Sequence, residues 1–272
     1  MKKYLNLIPK FLQVSLSCLI ALSLSTFSAY SQQMPKMNTD SSSTKDKKTK
    51  NMDKPDDNME EEVAHPIYTH MGMPEAVGLY SLRLAALSTQ IDGKTKADFA
   101  FHFETGLSKF VGLHIRNDRF LDNTHTEIMF QFAAIRSKDG MSGFSPIIEF
   151  EIPTKKGASR IHTLVGFSSA VARSRFAFNQ VIHYNPREDM VDGSVALVYK
   201  AGKRIFLIAE ILGEKMPDEQ AIINLLVGVK VRVNKNLLLA LGFQAPVSNN
   251  KEFSSQYIFQ PDLEFKRGNN QK

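Results

Sequence analysis

From residue 65 onward, apolar side chains occupy every second position in runs of about ten residues. In residues 98–104, three phenylalanines share one face, and Asp, Ala, His and Glu share the other. In residues 223–233, isoleucine, leucine and valine alternate with positions that include Asn224, Lys230 and Arg232. A period of two indicates β-strands, because successive side chains of a strand point to opposite faces. A helix over residues 223–233 would carry charged residues on all sides, which argues against it.

Counting these runs predicts about twelve strands, each near the length that a tilted strand of a membrane barrel needs. No apolar run after residue 31 is long enough for a transmembrane helix, so only strands could cross a membrane. The predicted strand centres are Leu82, Phe101, Leu113, Phe130, Phe150, Val165, Phe178, Ala196, Leu207, Val227, Leu239 and Phe259.

The predicted connections between strands alternate in length. The second, fourth, sixth, eighth and tenth are tight Gly, Asn, Asp or Ser turns, for example Ala201-Gly202. The first, third, fifth, seventh, ninth and eleventh are predicted to be longer and more polar, for example residues 116–125, 185–193 and 246–255. Short turns at one rim and long loops at the other are typical of outer-membrane barrels. The sequence therefore predicts an all-β fold, a single antiparallel up-and-down transmembrane β-barrel.

The two faces of the predicted strands differ in chemistry. One is uniformly apolar, whereas the other mixes small residues with charged ones, as expected for a lipid-facing surface and a polar lumen. Aromatic residues near strand ends, such as Tyr80, Tyr184, Phe243 and Phe265, fit an interfacial girdle. The predicted lumen-lining polar residues, besides Arg83, are His102, Glu104, His114, Glu149, Glu151, His162, His183, Arg204, Glu210, Lys230 and Arg232.

The histidines of the predicted lumen have two interpretations. Imidazoles beside Glu104 or Glu149 could gate a channel by pH or line a path for cations. The alternative, which we favour because a bulge can shift the parity of a strand, is a set of hydrogen-bonded polar residues that fill the barrel. With about twelve strands the lumen is narrow, so a filled, selective or purely structural barrel is favoured over an open porin.

The N-terminus predicts export in a Gram-negative bacterium. Lys2 and Lys3 precede an apolar stretch that ends at small residues, and cleavage is expected before Gln32. The only cysteine, Cys18, would leave with the signal peptide, which excludes disulfides, thiolate metal sites and a cysteine nucleophile from the mature chain. Residues rich in charge follow, without the aromatic or β-branched residues that build a core. The predicted organisation is a signal peptide over 1–31, a disordered periplasmic linker over 32–64, an outer-membrane β-barrel over 65–267 and a polar tail over 268–272.

The net charge of +6 at pH 7 does not indicate nucleic-acid binding, because the lysines cluster in the signal peptide and the linker. The expected partners are outer-membrane lipid, the barrel-insertion machinery, and efflux or periplasmic metal-handling proteins.

The segment HPIYTHMGMP combines imidazole and thioether groups at His65, His70, Met71 and Met73. These ligands favour copper, so one hypothesis is capture of copper in the periplasm. The favoured alternative is that methionines are frequent here and that the segment caps the first strand, because no fixed ligand spacing appears. No resident cofactor is predicted, and copper is the candidate metal.

The final strand alternates Tyr257, Phe259, Leu263 and Phe265, and looks like the C-terminal signal for barrel insertion, although seven residues follow it where many such proteins end on the aromatic. Together with the preceding hairpin at 242–247, it resembles small transporter-like barrels of the family associated with the MetA pathway of phenol degradation. The resemblance covers about the last thirty residues, and it implies passage or binding of small molecules without catalysis.

No nucleophile elbow, P-loop, HExxH or dinucleotide fingerprint occurs, so no enzymatic activity is predicted. Ser168 or Ser169 could act as a nucleophile with His162 or His183 as its base, but no sequence motif indicates such a pair. The expected function is passage or binding of a small solute or a metal ion such as copper at the outer membrane. The alternatives are a soluble periplasmic β-sandwich or lipocalin-like binding protein and, less favoured, a barrel enzyme.

Overall fold

The computed structural model of this chain describes residues 64–121, 125–138, 140–154 and 160–266. The predicted signal peptide, the linker up to residue 63 and the polar tail lie outside these residues. Within the described residues, no helix is long and apolar enough to cross a membrane. The strands are β1 (Leu79–Ile91), β2 (Lys94–Ser108), β3 (Val111–Asn117), β4 (His125–Phe132), β5 (Ile135–Arg136), β6 (Gly143–Pro153), β7 (His162–Arg173), β8 (Phe176–Asn185), β9 (Met190–Lys200), β10 (Ile205–Lys215), β11 (Ile222–Asn234), β12 (Leu237–Pro246) and β13 (Ser255–Lys266).

All strands belong to one antiparallel sheet that closes on itself. Strands that follow each other in the chain pair with each other except β4 and β5, which both pair with β6, and β1 also pairs with β13. The wall therefore has twelve strands, and the two-residue β5 is an addition to the start of β6. Each of the twelve predicted strand centres lies in its own wall strand, so the predicted fold class is confirmed.

The faces of the wall follow the alternation of the sequence. In β10, Leu207 and Ile211 are exposed outside the barrel, and Phe206, Ile208 and Glu210 are buried inside it. Large apolar side chains of Leu, Val, Ile, Phe and Tyr are exposed along much of the wall, so much of the outer surface is apolar. The inner surface buries polar groups such as Arg, Lys, Glu, Asp and His.

The two ends of the barrel differ in the length of their connections. The chain enters β1 and leaves β13 at one end, which we call the entry end, and the opposite end is the loop end. At the loop end, the chain between β3 and β4 has seven residues and the chain between β12 and β13 has eight, whereas two-residue turns at 109–110 and 235–236 lie at the entry end.

Two connections at the loop end are shorter than predicted. The first is only Asp92-Gly93, with φ of 49° and 75°, because Asp-Gly accepts the two positive φ angles of a type I′ hairpin turn. The seventh covers only residues 186–189, since the polar run at 185–193 is mostly absorbed into β8 and β9.

Candidate functional site

The lumen of the barrel is occupied by residues 64–76, which we call the lumen segment. Its backbone accepts hydrogen bonds at Pro66 from Arg83 of β1 (3.1 Å) and from Lys230 of β11 (3.0 Å). It donates from Gly72 N to Asn179 Oδ1 of β8 at 2.9 Å. Because these strands lie on different sides of a closed wall, the segment must run inside the barrel.

A single carboxylate holds the bend of the lumen segment. Glu210 of β10 accepts from the backbone N–H groups of Ile67 (2.5 Å), Tyr68 (3.1 Å) and Thr69 (2.7 Å), and from the Thr69 hydroxyl at 2.7 Å. Successive N–H groups that converge on one anion form a strong, charge-assisted site. The contact therefore fixes the conformation of the bend as well as its position.

An ion pair joins the two arms of the lumen segment on either side of this bend. His65 Nε2 lies 2.8 Å from Glu75 Oε1, and both side chains are buried. Burial opposes protonation of His65, but the Glu75 carboxylate outweighs it and raises the pKa of His65 to about 10. The His65 ring is thus cationic at neutral pH, and the segment is a re-entrant loop closed by a charged pair.

Glycines of the wall allow the lumen segment to approach closely. A Cβ atom at Gly106 would overlap the backbone carbonyl of Glu75, and one at Gly228 would overlap the side chain of Ile67. These strand positions are thus matched to the segment, since any side chain there would push it away from the wall.

Buried charges of the wall are paired. Lys230 Nζ lies 2.8 Å from Asp262 Oδ2, and both side chains are fully buried. Arg83 forms an ion pair with Glu104, which is also fully buried. Pairing is required here because an isolated charge away from water is very costly.

Three imidazoles and one carboxylate, which we call the imidazole cluster, meet where the lumen segment faces β2 and β3. The ring of His70 lies 4.6 Å from that of His102 and 5.4 Å from that of His114, between centroids. Glu104 Oε1 lies 3.0 Å from His102 Nε2 and 3.1 Å from His114 Nδ1. Burial, His102 and Arg116 together lower the pKa of His70 well below its usual value, so its ring is neutral at pH 7.

A polar cavity of about 230 Å³ opens between the lumen segment and the loop end. Its inner boundary includes Tyr68 and His70, and the Arg116 guanidinium lies 5.1 Å from the centre of the Tyr68 ring. Carboxylates outnumber guanidinium groups in its lining, which also includes the ring of His183. The lining carboxylates are Asp118, Glu127, Glu149, Glu151, Asp192, Glu214 and Glu252, and the lining guanidinium groups are Arg116 and Arg119.

The structure brings together most of the polar residues predicted for the lumen. Arg204 does not belong with them, because it lies in the turn before β10, just outside the strand, and is exposed. Glu151, His162 and Arg232 are half-buried. The enclosed and buried members are His102, Glu104, His114, Glu149, His183, Glu210 and Lys230.

The predicted His/Met quartet is dispersed over separate contacts. His65 pairs with Glu75, and His70 joins the imidazole cluster. The Met71 carbonyl accepts from Gln131, and the Met73 sulfur accepts from the Ser145 hydroxyl at 3.6 Å. His65 and His70 both lie near Glu104, whereas the polar contacts of Met71 and Met73 are with Gln131 and Ser145.

Ser168, drawn as a possible nucleophile, has no histidine among its hydrogen-bond partners in the described structure. Its hydroxyl accepts from Gln131 at 2.7 Å and donates to the Ser145 carbonyl at 3.3 Å. These contacts are those of a structural hydroxyl inside the wall.

Sequence reasoning missed that residues 64–76 enter the barrel. The sequence analysis assigned residues from 65 onward to the barrel by their alternation, and alternation alone does not tell a strand of the wall from a segment inside it. One sequence feature could have indicated a buried position: the large apolar and aromatic residues Ile67 and Tyr68 come soon after a charged linker.

The fold and this lumen define a porin-like barrel whose interior is occupied by its own chain. Similar solved structures are a KdgM porin (TM-score 0.53, 9% identity, 68% of this chain and 99% of that chain) and an outer-membrane channel from Pseudomonas putida F1 (0.51, 8%, 71% and 97%). A KdgM porin in complex with disordered oligogalacturonate is similar as well (0.50, 9%, 70% and 99%). No protein-family profile and no curated protein matches the chain. At these identities the likeness concerns the fold, which is that of outer-membrane porins.

Proposed function

We propose that this protein is an outer-membrane channel for small solutes, and that the lumen segment closes it in the conformation described here. The observation that carries the proposal is a lumen segment held by side chains from strands on different sides of the barrel, among them Arg83, Asn179, Glu210 and Lys230. A purely structural barrel would not need a separate, re-entrant piece of chain with so many polar contacts. Displacement of the segment would leave a lumen lined by polar groups.

The acidic cavity at the loop end supports a preference for cations. Its excess of carboxylates raises the local concentration of positively charged solutes at the mouth. A metal ion is one such solute, whereas the specific link to copper stays a prediction from the sequence.

Location in the outer membrane is part of the proposal. The apolar outer face, the predicted signal peptide and the fold support it, with outer-membrane lipid and the insertion machinery as partners. The resemblance of the last thirty or so residues to the MetA-pathway barrels supports the same class of function. Recovery in the soluble periplasmic fraction after cell fractionation would favour the binding-protein alternative instead.

The channel is tested by conductance in planar lipid bilayers. We expect the full chain to conduct weakly and a variant that lacks residues 64–76 to conduct at least about tenfold more, because the obstruction is removed. A deletion of equal length in the predicted linker, residues 40–52, is the control and should behave like the full chain. Reversal potentials in a salt gradient report the preference for cations.

Equal conductance of the full chain and the 64–76 deletion would overturn the role of the lumen segment. A folded, inserted deletion variant without conductance would overturn the channel itself. Heat-modifiable gel mobility shows that each variant has folded.

A further inference from the structure

We propose that His70, His102, His114 and Glu104 form a binding site for a divalent transition metal of borderline softness, with Zn²⁺ as the reference ion. Each residue offers one ring nitrogen or carboxylate oxygen, and these four atoms lie within 4.8 Å of one another. Imidazole with one carboxylate is a ligand set that suits zinc, nickel and copper(II), whereas calcium and magnesium prefer oxygen alone. The site differs from the His/Met quartet predicted from the sequence, with which it shares only His70.

The ring positions match those around a tetrahedral ion. Three imidazoles that share one zinc ion have ring centres about 5 Å apart, since each ligating nitrogen lies about 2 Å from the metal. The observed separations between ring centroids are 4.6 Å for His70 and His102, 5.4 Å for His70 and His114, and 5.8 Å for His102 and His114. Side-chain rotations are therefore enough to close the site, without a shift of the strands.

The carboxylate is already at ligand spacing from two of the rings. Glu104 Oε1 lies 3.0 Å from His102 Nε2 and 3.1 Å from His114 Nδ1. Neighbouring ligands of a tetrahedral zinc ion are about 3.3 Å apart. An ion bound there would thus take the place of the hydrogen bonds that now join these rings to the carboxylate.

The third ring offers a free ligand atom. His70 Nδ1 is buried without a hydrogen-bond partner among the described residues, whereas His70 Nε2 accepts from Arg116 Nη1 at 2.9 Å. A neutral histidine that ligates through Nδ1 carries its proton on Nε2, so the proton of His70 would move to Nε2 and Arg116 would have to turn away from it. The unpartnered Nδ1 atom is therefore the metal-facing nitrogen of His70.

Arg83 competes with the ion for the carboxylate. Its Nη2 contacts Glu104 and lies 2.6 Å from His102 Nδ1, while its Nη1 donates to the Pro66 carbonyl. The guanidinium of Arg83 balances the charge of Glu104 in the metal-free cluster. When the ion binds Glu104, the hydrogen bond to the Pro66 carbonyl would still hold the guanidinium in position. Affinity is thus expected to be lower than in a site without this competing cation.

A bound ion would tie the lumen segment to the wall, because His70 belongs to the segment, His102 and Glu104 to β2, and His114 to β3. The consequence for conduction rests on the proposed function, whereas the binding itself does not. In that case the metal would stabilise the closed channel.

Binding is tested on the full chain folded in detergent, with Zn²⁺ titrated against a chromophoric chelator. We expect one equivalent to bind the wild type, and His70→Ala, His102→Ala and His114→Ala each to weaken binding at least about tenfold. His162→Ala is the matched control, since His162 contacts Glu151 and Glu188 outside the cluster, and it should leave the affinity unchanged. Mg²⁺ at the same concentrations should not compete.

Absence of binding, or binding that all three substitutions leave unchanged, would overturn the site. If the wall variants fail to fold, His70→Ala still decides, because His70 lies in the lumen segment and outside the strands. Electron paramagnetic resonance with Cu²⁺ provides a second readout, in which the hyperfine pattern of coordinated nitrogen should weaken in His70→Ala.

Conductance in the presence of Zn²⁺ separates the two proposals. A decrease in the wild type that His70→Ala abolishes supports the closing role. Binding without any change in conductance would keep the site and overturn its effect on the channel.

Discussion

At the scale of single residues, Lys230 and Asp262 show how the lumen accommodates charge. Both are fully buried, and Ala240 of the intervening β12 pairs with Lys230 in the register of the sheet. Small Ala240 leaves room for the long lysine side chain to reach across one strand. The lysine also bonds the Pro66 carbonyl at 3.0 Å, so the pair supports the lumen segment as well as the wall.

Removal of one partner of this pair should destabilise the barrel strongly. We expect Lys230→Met to lower the free energy of unfolding by about 3–5 kcal/mol, because Asp262 would be left buried without a counter-charge. Urea unfolding in lipid vesicles, followed by circular dichroism since the chain has no tryptophan, measures the loss. The double variant Lys230→Met with Asp262→Leu should recover much of it, and a double variant as unstable as the single one would contradict this account.

Gly72 of the lumen segment lies directly against β7 of the wall. A Cβ atom there would overlap the backbone carbonyl of Ser169, which cannot move without breaking β7. We expect Gly72→Ala to displace the segment at a cost of about 1–3 kcal/mol, while the barrel still folds. The measurement is limited proteolysis of the segment in folded protein, which should become at least about fivefold faster.

Gly202→Ala is the control for this substitution, because a Cβ atom at Gly202 meets nothing within 4 Å. Equal proteolysis rates for the two alanine variants would show that Gly72 does not hold the segment in place.

At the scale of elements, the bend of the lumen segment depends on Glu210. Its carboxylate accepts from three successive N–H groups, and a neutral amide would lose the charge and one acceptor oxygen. Glu210→Gln should therefore loosen the bend by about 3 kcal/mol. The readout is maleimide labelling of Ile67→Cys in a Cys18→Ser background, since Cys18 is the only natural cysteine.

We expect the labelling rate at position 67 to rise at least about tenfold with Glu210→Gln. Glu214→Gln is the matched control on the same strand and the same face, since Glu214 is half-buried beside the cavity, four residues nearer the loop end. A labelling rate that stays at the wild-type value in Glu210→Gln would rule out this carboxylate as the holding group.

At the scale of the whole molecule, the apolar outer wall distinguishes a membrane barrel from a soluble one. Leu241 of β12 is 59% exposed and lies between Val229 and Phe259 in the register of neighbouring strands. In water, a charge at such a site would change stability by only about 0.5 kcal/mol. In lipid, an arginine near the midplane costs about 2–4 kcal/mol.

Leu241→Arg should therefore impair folding into lipid vesicles by this larger amount, and Leu241→Ala should have a smaller effect. Folding yield and urea unfolding in vesicles of phosphatidylcholine measure both. Full tolerance of Leu241→Arg would favour a soluble barrel.

Local pattern was enough to predict the wall. Successive side chains of a strand point to opposite faces regardless of which strand is its neighbour. The residues around Leu207 and Val227 therefore indicate strands without any knowledge of their partners. Turn chemistry was also local, although the Asp92-Gly93 hairpin was predicted as a longer loop. Arg204 was assigned to the lumen as part of the charged face of its strand, but β10 begins at Ile205, so Arg204 lies in the turn before it.

The sequence by itself determined the strands and their two faces, because each depends on residues that are near neighbours along the chain, whereas closure of the wall pairs Leu79 of β1 with Lys266 of β13. Tertiary structure alone decided what fills the lumen. The contact of Ile67 with Glu210 spans 143 residues, and that of Gly72 with Asn179 spans 107. The imidazole cluster likewise needs His70 carried into the barrel to meet His102 and His114. These contacts form because the sheet closes around the segment that precedes β1, and the alternation of residues along the chain cannot predict them.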